Sequence, residues 1–452
     1  MTSPPPRAVP ATPSAEGSPG RIVSGLRRRA RERVDGARSA ADARWGRPRD
    51  TDRPIYLVAP AGHPNHGDEQ LLAGWLRHLR HRLPGTPVVV DCHTPGQAAV
   101  LHHGEHPDVL FTDTVWRLAG ECADAAGAIG FTRRAVRDLG LRPAVASGVD
   151  LLRSASVVHL IGGGYVNDLW PHHLGVVAAA GEVGRLTDAR VVATGQGLVP
   201  CGDVGLVADA FSGFDLVAVR DEASHDLLAD TEVPVRFVGD DGWLALSEAG
   251  GLESVRHPVY STDPDTCRDL VVCAQSDLAE PAEFADAVAN VLAEWGVPGE
   301  RTTVIESIPG GDRVVWDMVC TRAAAAAAGD DDDEVGVALA GLDLPRARFV
   351  PFQELWSAGL PARPAQVWLT TRFHPHLFAA ARGASGVALR SGSAYYDVKH
   401  RSLRAAGSAW TAVAAGDGHV PDVPTAGGFD PGVVSGRVGT AEALAGEIYP
   451  LR

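Results

Sequence analysis

The sequence predicts an α/β protein of two Rossmann-like domains that face each other across a cleft. Its 452 residues are too many for one ordinary core and indicate two domains of about 200 residues each. Short aliphatic or β-branched runs alternate with segments of helical spacing, which is the pattern of a parallel sheet covered by helices on both faces. Two such sets occur, separated by a stretch that contains glycine, proline and serine. Each set is therefore expected to form one domain.

Short buried strands are expected in both sets. Those of the first set are Ile55–Ala59, Val88–Asp91, Val157–Ile161, Arg190–Thr194, Leu216–Val219 and Val235–Val238. Those of the second set are Leu270–Cys273, Thr303–Glu306, Arg348–Val350, Gln366–Thr371 and Val387–Arg390. Apolar residues at helical spacing predict a helix over Glu69–Leu83. The alanine tract Ala323–Ala328 indicates a helix that Gly329 ends, followed by an acidic loop.

These patterns divide the chain into five parts. We expect a basic, mostly disordered leader (1–50), an N-terminal domain (51–250), a linker (251–265), a C-terminal domain (266–420) and a C-terminal tail (421–452).

Charge is distributed unevenly along the chain. The net charge is −15, yet residues 1–50 hold 11 arginines against 5 acidic residues. The acidic remainder argues against nucleic acid as a partner. The leader has few apolar anchors, so a solvated segment is favoured over the alternative, a helix that lies on an anionic membrane.

The cellular location of the protein is predicted from its membrane-span, signal-peptide and cysteine patterns. No apolar run of 18 residues predicts a membrane-spanning helix, and residues 1–15 lack the apolar core of a signal peptide. The six cysteines are scattered without the spacing of a zinc site, which favours reduced thiols in a cytoplasm. A cytoplasmic protein is expected, and contact of the basic leader with the inner face of the cell membrane is left open as the alternative.

Glycine-rich strand ends in the first set predict a ligand pocket. Gly162, Gly163 and Gly164 end one strand, and Gly195-Gln196-Gly197 ends the next. Such glycines let the backbone turn tightly or approach a ligand closely. No Walker lysine follows, so the pattern is not a P-loop.

Polar residues at other strand ends of this half have two interpretations each. Asp68 either caps the helix that follows the first strand or contacts an acceptor hydroxyl. Arg220 either pairs with Asp221 and Glu222 or faces the cleft. The segment Gly239–Gly242 is better explained as a turn than as a hydroxyl ligand or base.

The second set places a fixed charge and a titratable ring at one strand-to-helix junction. Arg372 and His374 follow a predicted strand, with Pro375 in the first helical turn and Lys399, the one lysine of the chain, further on. Arginine suits carboxylates and phosphates, and histidine transfers protons near neutral pH. Together with Arg220 they are expected to hold a small anion in the cleft, whereas His376 is expected to be structural.

Seven motifs carry a family resemblance: NHGDEQLL (65–72), LIGGGYVND (160–168), GQGLVP (195–200), VAVRDEAS (217–224), GDD (239–241), TTRFHPHLFAA (370–380) and YDVK (396–399). In this order they resemble the polysaccharide pyruvyl transferase family. The resemblance implies a fold similar to GT-B glycosyltransferases and transfer of the enolpyruvyl group of phosphoenolpyruvate to a sugar hydroxyl, forming a pyruvate ketal and releasing phosphate. The acceptor would be a polysaccharide or glycolipid precursor of the cell envelope, or a small glycoside.

By this resemblance Arg220, Arg372 and His374 match donor-binding positions, and Lys399 matches a recurring lysine after a tyrosine. We hypothesise that His374 protonates the methylene carbon of the donor or assists its protonation. Asp68 and Asp168 are candidate bases for the attacking hydroxyl. Neither a metal nor a cofactor is expected, because phosphoenolpyruvate itself supplies the reactive group.

Two alternatives remain. A glycosyltransferase of the same shape would use the arginines and histidine to hold the pyrophosphate of a nucleotide sugar. A binding protein without turnover would share the fold, although the presence of Arg220, Arg372 and His374 together argues against it.

Overall fold

A computed structural model describes residues 53–247, 257–276, 280–330, 333–391 and 394–451, without the side chains of 394–396. The predicted leader and residues 251–256 of the predicted linker lie outside the described residues. Residues 53–452 form one compact unit.

The first half of this unit is built on a sheet of seven parallel strands in the order β3-β2-β1-β4-β5-β6-β7. The strands are β1 Ile55–Val58, β2 Val88–Asp91, β3 Val109–Thr112, β4 Val157–Leu160, β5 Arg190–Gln196, β6 Leu216–Val219 and β7 Val235–Phe237. Its helices are α1 His66–Arg82, α2 Pro95–Leu101, α3 Thr114–Ala119, α4 Ala125–Arg137, α5 Ala146–Ser154, α6 Leu174–Leu186, α7 Val204–Ala210, α8 Glu222–Ala229 and α9 Gly242–Ala245.

The second half is built on a sheet of six parallel strands in the order β10-β9-β8-β11-β12-β13. The strands are β8 Leu270–Cys273, β9 Thr302–Ile305, β10 Arg348–Val350, β11 Val367–Thr370, β12 Ser385–Arg390 and β13 Thr411–Ala414. Its helices are α10 Pro281–Trp295, α11 Gly311–Ala328, α12 Glu334–Ala340, α13 Phe352–Ala358, α14 Phe373–Ala381, α15 Ala394–Ala405 and α16 Pro431–Ile448. The prediction of two parallel-sheet α/β domains is confirmed.

Each strand expected from the sequence is present to within two residues at either end, and β3 and β13 were missed. Both missed strands lie at sheet edges and are only partly buried. The helix over the alanine tract is also present. It ends where Gly329 takes the left-handed conformation, with φ of 78°.

The segment after residue 420 contains a long helix that belongs to the core. Leu444 and Ile448 of α16 are buried in the same apolar cluster as Ile55 and Leu57 of β1. Just beyond α16, the Tyr449 hydroxyl lies 2.8 Å from Nδ1 of His159 in β4. The end of the chain therefore packs against the first sheet.

Candidate active site

A cavity of about 670 Å³ lies where residues that follow strands of both sheets converge. The first sheet supplies the loop after β1, Gly164 after β4 and Arg220 after β6. The second supplies Gln275 after β8 and the Thr371–Pro375 junction after β11, and Lys399 lies on α15. Ligands of open parallel sheets bind at such carboxyl ends, so this cavity is the candidate site.

Arg220 is a buried cation whose nearest carboxylates lie beyond ordinary hydrogen-bond distance. Its side chain is 4% exposed, and the nearest carboxylates are those of Asp221, 3.5 Å from Nε, and Asp240, 3.7 Å from Nη1. Nε has no hydrogen-bond partner within the described part of the chain. The guanidinium lies over the ring of Phe373, 4.8 Å from its centroid. A buried guanidinium with unused donors that lines a cavity is suited to an anionic ligand.

Gly197 makes room for this guanidinium. A Cβ added at Gly197 would lie 2.5 Å from Arg220 Nε, closer than two such atoms approach. The second glycine of the Gly195-Gln196-Gly197 strand end therefore seats Arg220. The sequence left two roles open for these glycines, a tight turn or a close approach to a ligand, and Gly197 instead makes room for the Arg220 side chain.

His374 lies at the start of α14, against the amino terminus of α1. Arg372 is the N-cap residue of α14, and Pro375 falls in the first turn, where its missing N–H costs no hydrogen bond. A Cβ added at Gly67 of α1 would lie 1.9 Å from His374 Nδ1. The glycine of the NHGD motif thus allows a side chain of the second half to pack directly on the first.

Asp240 links the two cationic residues. One of its carboxylate oxygens lies 3.7 Å from Arg220 and the other 3.5 Å from Nε2 of His374. Burial raises the pKa of Asp240, but the charges of His374 and Arg220 and the N–H of Gly242 outweigh burial and bring that pKa below its usual value. Asp240 is therefore an anion at neutral pH. The turn assigned to this segment from the sequence is present, yet it also carries a side chain of the site.

Arg372 lines the cavity but is already paired. Its Nε and Nη2 contact both carboxylate oxygens of Asp312, with Nε 2.9 Å from each oxygen. Asp312, in the first turn of α11, also accepts the backbone N–H of Ser307 at 2.8 Å. Burial raises the pKa of Asp312, and Arg372 opposes that shift. Since much of this guanidinium is committed to Asp312, Arg372 brings less net charge to the cavity than the sequence suggested.

Asp68 lies in the cavity wall and does not cap α1. The cap is Asn65, whose Oδ1 accepts the Gly67 N–H at 3.3 Å and whose Nδ2 donates to Asp68 at 2.9 Å. Burial raises the pKa of Asp68, while the charges of His374 and Lys399 oppose that shift. The helix-cap interpretation of Asp68 is wrong, and its carboxylate is available to a ligand.

Asp168 does not reach the cavity. Its side chain is exposed, and it accepts the backbone N–H of Gly202, which ties two surface loops together. As a base it would need to point into the cleft, and the loop after the three glycines turns it outward. We therefore withdraw Asp168 as a candidate base.

The glycine strand end and Gln196 lie mostly beneath the cavity. Gly162 donates its N–H to buried Asp241 at 2.7 Å, and Gly163 has φ of 151°. Of the three glycines, Gly164 is the one that lines the cavity. Gln196 is fully buried and donates to the carbonyl of Ile161 at 2.9 Å. Gly162, Gly163 and Gln196 shape the floor and do not line the cavity.

A separate part of the lining is aromatic and was not expected from the sequence. It consists of His63, His93, Trp170 and His173. The rings of Trp170 and His173 are nearly parallel, with centroids 6.0 Å apart. Burial lowers the pKa of His173 to about 4, so its ring is neutral at pH 7. No spacing in the sequence indicates this group, because its members follow three different strands.

Comparison with known families gives a match over residues 65–280. Residues 65–280 match the family model described as polysaccharide pyruvyl transferase. Over this range, which is just under half of the chain, the protein is similar to that family. The resemblance predicted from the motifs is confirmed over this range, which includes Asp68, Arg220 and Asp240 and ends before Arg372. The pyruvyl transferase match supports a transferase that acts in polysaccharide biosynthesis.

Solved structures with similar chains include a UDP-GlcNAc 2-epimerase from Methanocaldococcus jannaschii, 10% identical, with a TM-score of 0.44 and coverage of 86% of this chain and 92% of that one. A glycosyltransferase from Rickettsia africae is 9% identical, with a TM-score of 0.43 and coverage of 88% and 91%. The E. coli heptosyltransferase II is 11% identical, with a TM-score of 0.36 and coverage of 86% and 98%. Glycosyltransferases and epimerases are thus among the structural neighbours, and likeness at this level carries no argument about activity.

No curated protein matches the chain at a significant level. Among the helices of the described residues, none combines the length and apolar character needed to cross a membrane.

Proposed function

We propose that this protein transfers the pyruvyl group of phosphoenolpyruvate to a sugar of a polysaccharide or glycolipid precursor, forming a pyruvate ketal and releasing phosphate. The observation that carries the proposal is Arg220, a buried guanidinium with an unused donor beside His374. Phosphoenolpyruvate carries a carboxylate and a phosphate, and both suit a guanidinium. The family match over residues 65–280 supports this reaction class.

The reaction needs one proton donor and one proton acceptor. A proton is added to the methylene carbon, which becomes a methyl group and leaves the adjacent carbon electrophilic. A sugar hydroxyl attacks that carbon and loses its proton. A second hydroxyl then forms the other C–O bond as the C–O bond to phosphate breaks, and phosphate leaves with the bonding electrons and one proton. The two hydroxyl protons thus account for the methyl group and for hydrogen phosphate.

Two residues of the cavity fit these proton transfers. His374 is the donor, because it lines the cavity beside Arg220 and histidine is the side chain most often used as a general acid. Asp68 is the acceptor, because burial raises its pKa and a more basic carboxylate accepts a proton more readily. Lys399 adds positive charge, which stabilises the departing phosphate.

The aromatic part of the lining suits the acceptor. Aromatic faces pack against the C–H faces of sugar rings. The ring of His173 is neutral, so an uncharged sugar can pack against it without a counter-ion. We therefore assign the acceptor sugar to the region of Trp170 and His173 and the donor to the region of Arg220 and His374.

Replacing Trp170 with alanine is expected to raise the KM for the acceptor about tenfold, since one stacking surface is lost. The affinity for phosphoenolpyruvate should change by less than about twofold, since Arg220 and His374 are unaltered. Steady-state kinetics with either substrate varied measures both effects. An unchanged acceptor KM would remove Trp170 from the acceptor region.

Replacing Gly67 with alanine is expected to displace the His374 ring, because the new Cβ would lie 1.9 Å from Nδ1. Turnover should fall about a hundredfold, as expected for a misplaced catalytic group. Gly436→Ala is the matched control, since Gly436 also lies within a helix and an added Cβ meets open space there. Equal turnover of the two variants would contradict the contact between Gly67 and His374.

The proposed function is tested by incubating the protein with phosphoenolpyruvate and a panel of glycosides. Release of inorganic phosphate that depends on a glycoside, with a pyruvate ketal on that glycoside by mass spectrometry, is the expected result. Transfer of a sugar from a UDP- or GDP-sugar in the same panel would instead support the glycosyltransferase alternative.

A further inference from the structure

Asp240 lies between the two residues assigned to the donor, and the pairing with His374 is incomplete. Its carboxylate is 3.5 Å from Nε2 of His374, whereas an ordinary hydrogen bond would measure about 2.9 Å. Within the described part of the chain, neither that Nε2 nor Oδ2 of Asp240 has a hydrogen-bond partner. The oxygen that faces Nε2 is Oδ1, which already accepts the Gly242 N–H, whereas Oδ2 faces Arg220. A buried ring nitrogen without a partner, 3.5 Å from a carboxylate oxygen, indicates a bond that forms during function.

The carboxylate is held firmly enough to position a ring. Asp240 Oδ1 accepts the backbone N–H of Gly242 at 2.8 Å, at the start of α9. The side chain is 2% exposed, so water does not compete for it. On the other side of the ring, Nδ1 lies beside Gly67 of α1, where the absence of a Cβ leaves this edge of the ring clear of any side chain at that position. His374 therefore has a fixed carboxylate at Nε2 and a glycine at Nδ1.

We propose that Asp240 is a positioning residue that keeps a proton on Nε2 of His374 and so makes Nδ1 the nitrogen that exchanges protons with the substrate. The inference rests on the proposed function for its kinetic consequences. In the proton-donating form both ring nitrogens carry hydrogen, and after transfer from Nδ1 the remaining Nε2–H faces the carboxylate. The same carboxylate balances the charge of Arg220.

Other charged groups around the ring do not replace Asp240. On α1, burial lowers the pKa of His66 to about 3, so it is neutral, and Asp68 faces the cavity. Arg372 is paired with Asp312, and the remaining neighbours in the cavity, Arg220 and Lys399, are cations. Of the carboxylates among these neighbours, Asp240 is the one in contact distance of a ring nitrogen.

The test compares Asp240→Asn with Asp221→Asn. Both changes remove one negative charge beside Arg220, at 3.7 and 3.5 Å respectively, and only the first faces His374. Asparagine at 221 can still cap α8, where Asp221 accepts the Ser224 N–H. The two variants therefore separate the effect on His374 from the effect on Arg220.

For Asp240→Asn, kcat is expected to fall about tenfold to a hundredfold, and the basic limb of the pH profile to move about one unit lower, because a nearby anion no longer favours the protonated ring. Asp221→Asn should leave the limb in place. Asp240→Glu, which retains the charge, should restore the position of the limb even if kcat stays low. An unmoved limb in Asp240→Asn would overturn the inference.

A substrate-free measurement separates this inference from the proposed function. NMR titration of the histidine ring protons, with His374 assigned from the His374→Gln variant, should show a lower midpoint for His374 in Asp240→Asn than in the wild type. That shift supports the role of Asp240 even if phosphoenolpyruvate fails to bind. If Asp240→Asn does not fold, Asp240→Ala replaces it, and a His374 midpoint equal to that of the wild type in this variant would overturn the inference.

Discussion

Replacing Arg220 with methionine is expected to weaken phosphoenolpyruvate binding about a hundredfold. The guanidinium is buried beside the cavity with an unused donor, so the anion would supply its missing hydrogen bonds. Two hydrogen bonds to a charged group, at about 1.5 kcal/mol each, account for this loss. Isothermal titration calorimetry with phosphoenolpyruvate measures it.

Two further variants sharpen this result. Arg220→Lys retains the charge but not the planar fork, so its affinity should lie between those of the wild type and Arg220→Met. Arg133→Met removes a guanidinium that pairs with Asp209 away from the cavity and should bind phosphoenolpyruvate as the wild type does. If Arg220→Met bound the donor with unchanged affinity, the anion site would have to lie elsewhere.

Replacing His374 with glutamine is expected to lower turnover by about 10²–10⁴-fold, the contribution of a positioned general acid. Phosphoenolpyruvate binding should remain within about threefold of the wild type, because the main ionic contact comes from Arg220. Single-turnover phosphate release and calorimetric titration measure the two effects on the same preparation.

The control for His374→Gln is His103→Gln, a change at an exposed histidine outside the cavity. It should leave both turnover and binding unchanged. The assignment of His374 as the acid fails if donor binding is lost while single-turnover chemistry at saturating phosphoenolpyruvate stays normal.

The sequence predicted several residues that line the cavity because its signals are local. Arg220 and Arg372 each directly follow, or nearly follow, a buried strand, and parallel strands bring their carboxyl ends to one edge. The same rule placed Asp68 after β1 and His374 after β11. Positions along strands could therefore be predicted from periodicity alone.

The partners of these residues could not be predicted, because they come from distant parts of the chain. Asp312 precedes Arg372 by 60 positions and lies on a helix of another βα unit. Asp240 contacts His374 across the two halves of the molecule. Nothing in the spacing of the sequence distinguishes these aspartates from ordinary first-turn or turn acids.

The direction of a side chain on an irregular loop could not be predicted from the sequence either. Asp168 and Gly164 lie four positions apart in one motif, yet Gly164 lines the cavity and Asp168 points to solvent. Strand periodicity gives no information once the chain leaves the sheet.

The central claim is that the cavity binds phosphoenolpyruvate through Arg220. The most direct test is calorimetric titration of the wild type and Arg220→Met with phosphoenolpyruvate, and then with UDP- and GDP-sugars. We expect phosphoenolpyruvate to bind the wild type, to bind Arg220→Met about a hundredfold more weakly, and the nucleotide sugars not to bind. Binding of a nucleotide sugar in place of phosphoenolpyruvate would contradict the claim.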